Sequence, residues 1–261
     1  MSSPSRATQF FESIGCDVSK PGFHNSREFI AQEACNPGLL ERYAEFVLEK
    51  KQYKQSDIIA EVAQFIFEEL GQSGVLGACV DASSLLSEVL SKLGIWSFCA
   101  KGGTSIRFSD GRSPIRMAPI FPQGSRAMTG HAWVVAPPFH IVDVSLPFQP
   151  YEEDVKGKIP RAPVLSRDAD IVPVEMIDLV DPLVERDVLR DGGLRAVIPS
   201  EWWEVMNKIP GRRTDLSPEA EVRYIAIDVF AMDIPLERWH NINWRGQSAR
   251  TLWNKIEAIL V

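Results

Sequence analysis

Three residues in this chain have the types and order that acyl-transfer chemistry needs: Cys79, His131 and Asp143. Cys79 falls where a glycine-containing loop gives way to a helical pattern. Unpaired backbone N–H groups and the positive end of a helix dipole there favour thiolate over thiol, and the thiolate is the nucleophile. The same N–H groups can hold the oxyanion formed when a carbonyl is attacked. A cysteine alone is as readily a small buried hydrophobe. A histidine base changes that balance, because it can take the thiol proton and later deliver it to a leaving group. His131, one of four histidines, opens an apolar strand directly after Gly130.

Asp143 supplies the partner that fixes the tautomer of a base and supports its imidazolium. Residues 131–136 and 140–145 read as two strands joined across Pro137-Pro138. A strict two-residue loop puts His131 and Asp143 on opposite faces. An odd-length loop centred on Pro137 sets them directly across from each other, on one face. The second register is favoured, because an aspartate among Ile141, Val142 and Val144 is costly to bury unpaired.

The elements that must position these groups follow from the apolar pattern. Leu39, Leu40, Tyr43, Phe46 and Val47 recur at helical spacing, as do Ile58, Ile59, Val62, Phe65, Ile66 and Leu70. Gly71-Gln72-Ser73-Gly74 reads as a turn. The next helix begins near Cys79, carries Asp81 in its first turn and a stripe of Leu85, Leu86, Val89, Leu90 and Leu93, and stops at Gly94. A strand is predicted at Ile95–Ala100 and a shorter one around Thr104–Phe108, with Gly102-Gly103 as a turn between them. Gly192-Gly193 is read likewise, and neither pair as a phosphate loop. Residues 1–24 read as a loose leader, 109–129 as a Pro/Gly-rich loop, and 147–173 as a linker or surface excursion. A helix around Pro199–Met206, a strand at Val222–Phe230 and a final helix at Ser248–Leu260 complete an α+β pattern.

These residues carry a resemblance. Gly77-Ala78-Cys79-Val80-Asp81, running on to Leu93-Gly94-Ile95, resembles the nucleophile helix of the transglutaminase-like superfamily. Gly130-His131-Ala132-Trp133-Val134 and Ile141-Val142-Asp143 resemble its His and Asp strands, in the family's order. The match spans roughly residues 70–147. It implies a papain-like core, with a helix presenting Cys79 against an antiparallel sheet that carries His131 and Asp143. Residues 1–70 are then an N-terminal helical region of that core, 71–150 the catalytic part, and 151–261 an α+β extension. The tryptophan that transglutaminases proper carry beside their cysteine is missing, which points away from protein crosslinking. Val144-Ser145 stands where many members have Pro-Thr, and the Asp-Val pair is closer to arylamine N-acetyltransferases.

Secondary candidates are weaker. Gln72 is placed as a side-chain oxyanion donor or a plain loop residue, and Trp133 as a substrate contact or packing beneath the His strand. Trp96 and Cys99 read as core, and His140 as facing away from the triad. His24 and His240 have no nearby companions, so no metal site is expected. Glu201-Trp202-Trp203 and the stretch from Trp239 to Trp244 could line a surface, although core packing is the default.

The chain has 261 residues, 45% apolar and 24% charged, enough for a substantial core. A formal charge of −7 and a pI near 5.2 argue against nucleic acid and against a polybasic membrane surface. No signal peptide or membrane span is read from the sequence. Four scattered cysteines without a C-x-x-C pair suit a reducing compartment, so the cytoplasm is the expected location. The expected activity is a cysteine-nucleophile hydrolase or acyltransferase that cleaves an amide of a peptide, protein or small molecule through a thioester. It needs no cofactor, since side chains supply the chemistry. The competing expectations are an N-acetyltransferase-like enzyme, and an inactive scaffold that binds a protein partner.

Overall fold

The computed structural model describes residues 5–260 except 34, 37, 123–128, 233–235, 237–238, 240–243 and 245–246. Five helices come first: α1 (Arg6–Ser13), α2 (Arg27–Glu33), α3 (Leu39–Leu48), α4 (Ser56–Ser73) and α5 (Cys79–Lys92). Residues 5–24, expected as part of a loose leader, contain α1 and contribute Phe11, Cys16 and Phe23 to the core. Ser5 caps α1 by accepting the Thr8 N–H, and Phe11, fully buried, packs its ring against Phe23, Phe29 and Phe46.

Helix α4 buries Ile59, Val62, Ala63, Ile66, Phe67 and Leu70, a stripe at helical spacing. It runs through the expected turn at Gly71-Gln72 and stops only at Gly74, which takes the left-handed conformation at φ 70°. Gly71 has a packing role instead: a Cβ there would lie 3.0 Å from the ring of Phe148. Helix α5 begins at Cys79 and buries Ala82, Leu85, Leu86, Val89 and Leu90.

The sheet is built from β1 (Phe98–Phe108), β2 (Ile115–Met117), β3 (His131–Ala136), β4 (Phe139–Asp143), β5 (Val164–Ser166), β6 (Asp170–Ile171), β7 (Arg212–Ser217) and β8 (Ala220–Phe230). Its order is β5-β4-β3-β1-β8-β7-β6, with β2 also paired to β1. The pairings between these strands are antiparallel, and the sheet curls into a half-barrel. Short helices fill the connections: α6 (Glu153–Lys156), α7 (Met176–Leu179), α8 (Glu185–Arg190), α9 (Leu194–Val197) and α10 (Ser200–Lys208), with α11 (Ala249–Leu260) closing the chain. The architecture is mixed α+β.

Three sequence expectations change here. β1 is one continuous strand, and Gly102-Gly103 is not a turn. A Cβ on Gly102 would lie 1.9 Å from the Ile225 carbonyl oxygen, and one on Gly103 would lie 1.8 Å from that of Asp178. The two glycines admit neighbouring backbone, beside an irregularity in the β1–β8 ladder at Lys101/Gly102. The loop expected at 109–129 contains β2. The excursion expected at 147–173 contains β5, which pairs with β4 and extends the sheet on the Asp143 side. Strands β5–β8, all beyond residue 150, thus belong to the same sheet as the His and Asp strands.

Strand β3 is buried on both faces, which is why it reads as an unbroken apolar run. Trp133 and Val135 join the cluster of Phe11, Tyr43 and Phe46 beneath α1–α3. Val134 and Ala136 join the cluster of α4, α5 and α11 on the other side. A third cluster sets Ile225 and Ile227 of β8 against Leu179, Val188, Ile198 and Met206. Trp202 and Trp203 pack at its margin, and Trp239 and Trp244 are buried in the second cluster, so these tryptophans serve the core. Among the described residues, no helix is long and apolar enough to cross a membrane.

Candidate active site

Cys79 is the first residue of α5 and is half-buried. The cap position is Ala78, which offers no side-chain acceptor, and the first intrahelical bond runs from the Ala82 N–H to the Ala78 carbonyl. The N–H groups of the first turn are therefore left for another acceptor. The loop before Cys79 is held from behind, where the Gly77 N–H donates to the Phe148 carbonyl at 3.0 Å. That contact joins the loop before Cys79 to the segment just after Asp143.

His131 starts β3 after Gly130, whose φ of 70° turns the chain into the strand. Its side chain is wholly buried. Nε2 lies 2.6 Å from Oδ2 of Asp143, while Nδ1 has no aligned hydrogen-bond partner. The nitrogen left for a thiol is thus Nδ1, and Cys79 lies close enough for the two groups to shift each other's protonation. Burial opposes the Cys79 thiolate and is the largest influence on it. The nearby His131 ring and the Ala132 backbone N–H outweigh burial, and the thiol is held below its ordinary pKa. Burial also opposes the His131 imidazolium. The charge and hydrogen bond of Asp143, with the nearby Cys79, overcome it and raise the imidazole to about 10.

Asp143 is buried yet fully provided with donors. Oδ1 accepts from the Ser145 N–H at 2.8 Å, the Ser145 hydroxyl at 3.0 Å and the Leu146 N–H at 3.0 Å. Oδ2 accepts from His131 at 2.6 Å and from the Tyr224 hydroxyl at 2.9 Å. Burial would raise this carboxyl, but the His131 charge and hydrogen bond, with the Ser145 and Tyr224 bonds, hold it below the ordinary value. The arrangement keeps an ionised carboxylate in place with no unpaired lobe. The turn after it is itself fastened, by Gln149 to the Ser145 carbonyl and by Tyr151 to the Leu146 carbonyl.

The strand register differs in detail from expectation. Val134 pairs with Val142, a shift of two residues from the alignment that sets His131 directly across from Asp143. His131 and Asp143 become diagonal neighbours on one face, because a shift by an even number of residues preserves the face. The ladder is irregular between Val134 and Ala136, next to the cis Pro137-Pro138 bond.

The chain was compared with known protein families, with curated proteins and with solved structures. Nothing matches. The geometry therefore carries the functional reading by itself.

The secondary candidates separate. Gln72 lies exposed in the last turn of α4, and no hydrogen bond joins it to Cys79. Trp133 is buried, with its ring 5.0 Å from that of Tyr224, so it packs rather than faces substrate. Cys99 is buried, donates to the Ser83 carbonyl, and has its thiol pushed up by burial. His24 is buried beside Tyr43 and drops to about 4, a neutral core histidine. His140 is half-buried, and burial together with the Arg212 charge lowers its pKa. His240 lies outside the described residues.

Tyr224, Ser145 and Tyr151 are the site residues that sequence reasoning missed. Ser145 had a local signal, because an aspartate two residues before a serine can accept from that backbone N–H. Tyr224 sits in a strand that was expected, but nothing local to residues 222–230 says that it faces Asp143.

Proposed function

We propose that this protein is a cysteine-nucleophile enzyme of the transglutaminase-like, papain-related kind, which cleaves an amide through a thioester. The observation that carries this reading is a buried His131 with one ring nitrogen bonded to a carboxylate that has five donors and the other left unbonded, near a half-buried Cys79 at a helix start. A histidine that served packing alone would need neither a neighbouring thiol of depressed pKa nor so fully satisfied a carboxylate.

In the proposed reaction the Cys79 thiolate adds to the acyl carbon, and the carbonyl π electrons move onto oxygen. The backbone N–H of Cys79 receives that oxyanion. As the tetrahedral intermediate collapses, the C–N bond breaks and the His131 imidazolium gives its proton to the departing amine. The thioester that remains is opened by water or by an acceptor amine, which loses a proton to the now neutral His131. Collapse of the second intermediate returns the thiolate, the imidazolium and a carboxylic acid or new amide. Asp143 keeps Nε2 of the ring protonated and its plane fixed throughout.

The test is the rate of alkylation of Cys79 by iodoacetamide, mapped by peptide mass across pH, in the wild type and in His131→Ala. Rapid labelling well below the ordinary thiol pKa, lost in the variant, is the expected result. Labelling at the rate of an ordinary thiol and indifferent to the substitution would overturn the proposal. It would leave a binding scaffold as the better reading.

A further inference from the structure

A cavity of about 620 Å³ is walled by residues 112–116, 150, 151, 152, 154, 155 and 182, and its 150–155 wall follows Phe148, whose carbonyl holds the Gly77 N–H of the loop before Cys79. That is a volume suited to a small organic group. Tyr151 is the lining residue linked to Asp143, through Leu146. Its hydroxyl donates to the Leu146 carbonyl, and Leu146 in turn donates its N–H to Asp143. Burial raises the Tyr151 phenol first, and the charges of Asp143 and Cys79 raise it further, so both charges reach this ring.

The sheet register gives a second link. Strands β2 and β3 lie end to end along the same edge of β1, with Met117 opposite Thr104 and His131 opposite Gly102. Two residues of strand, roughly 7 Å, separate those positions. The wall carried by β2 therefore continues the line of β3 away from His131.

The lining indicates what fits. Pro114, Ile115, Pro150, Tyr151, Val155 and Pro182 make the apolar part. Two arginines also line the cavity, but their charges are answered by carboxylates. Arg112 pairs with Asp110 at 3.0 Å and Asp154 at 3.3 Å, and Arg116 pairs with Glu185 at 2.7 Å and also bonds the Val180 carbonyl. Glu152 adds a further negative charge. Leu76 and Val80, close to Cys79 in the chain, and Leu183, next to Pro182, are exposed apolar residues.

We infer that this cavity receives the acyl side of the substrate and selects an uncharged, apolar acyl group over an anionic one. The inference rests on Cys79 being the nucleophile. The probes are p-nitrophenyl acetate, p-nitrophenyl hexanoate and the mono-p-nitrophenyl ester of glutaric acid. With each, the Cys79 thiolate forms a C–S bond to the acyl carbon while the C–O bond to the aryl group breaks, and p-nitrophenolate leaves with its electron pair. Adduct formation at Cys79 is followed by intact mass, and each rate is divided by that of free cysteine with the same ester.

The expected result is hexanoyl transfer about tenfold or more faster than glutaryl transfer. Ser113→Trp and Pro182→Trp, at exposed positions in the cavity wall, are expected to remove most of that preference by lowering hexanoyl transfer more than acetyl transfer. Melting curves of both variants verify that they fold. Equal normalised rates for the three esters, unmoved by either substitution, would overturn the acyl pocket and leave the nucleophile standing. Absence of any adduct at Cys79 together with absence of Cys79-dependent p-nitrophenolate release would overturn the nucleophile and the pocket together.

Discussion

The Tyr224 hydroxyl donates to Oδ2 of Asp143 at 2.9 Å, the same oxygen that accepts from His131. Strands β3 and β1 lie between the strands that carry these two residues. In a flat sheet, strands three apart are roughly 14 Å from one another. The bond exists because the sheet curls, and it ties the last long strand to the orienting member of the proposed triad.

Tyr224→Phe keeps the ring packed on Trp133 and removes only this donor. The expected cost is about 1–2 kcal/mol of stability, read by urea denaturation. The sign of its pH dependence follows from Asp143. A carboxyl depressed in the folded state contributes stability above its unfolded pKa, and that contribution is lost as pH falls through the folded value. With one donor gone the folded value rises, so the acid-side loss begins at a higher pH in the variant. Coincident acid limbs for wild type and variant would mean that the Tyr224 bond does not support the charge of Asp143.

Asp143→Asn retains the shape of the carboxylate but not its charge. The imidazole then falls back toward its ordinary range, and the thiol of Cys79 rises because its cationic neighbour is weaker. Turnover of a p-nitrophenyl ester is expected to drop about a thousandfold. The alkylation midpoint of Cys79 should move to higher pH. An unchanged midpoint would show that the aspartate does not act on the thiol through His131.

In the proposed mechanism the thiolate–imidazolium pair is present between the depressed pKa of Cys79 and the raised pKa of His131, near 10. Amide hydrolysis is therefore expected to rise on the acid side as the thiol ionises and to fall as pH passes about 10, where His131 has no proton to deliver. For stability, the raised histidine contributes fully below its unfolded pKa, and that contribution is lost as pH climbs through about 10. A kcat/KM profile with no alkaline limb would rule out His131 as the acid.

Gly103→Ala is expected to destabilise the protein by about 3 kcal/mol, seen as a lowered melting temperature. The added Cβ would stand 1.8 Å from the Asp178 carbonyl oxygen. Asp178 also accepts from Ser105 and from Arg223, which fastens α7 to the sheet. A neutral effect on melting would mean that α7 can move off β1 without loss.

Much of this arrangement is local in origin and was legible from residue order alone. The stripe of α5, the stop at Gly94 and the start at Cys79 follow from helical periodicity and the left-handed preference of glycine. His131 and Asp143 share a face because strand side chains alternate with a period of two, so even an error of two residues in register left them together. The same local logic failed at Gly71 and Gly102-Gly103. There the glycines answer to Phe148, Ile225 and Asp178, all distant in sequence.

By itself, the sequence determined the order of Cys79, His131 and Asp143, the helix that starts at Cys79, and the common face of the other two. Those are consequences of backbone periodicity acting over a few residues. Only the tertiary structure decided that Tyr224 completes the shell around Asp143, that Phe148 braces the loop before Cys79, and that an apolar cavity lies beyond Tyr151. Each depends on which strands the curled sheet brings side by side, and that pairing is set by burial summed over the whole chain rather than by the residues concerned.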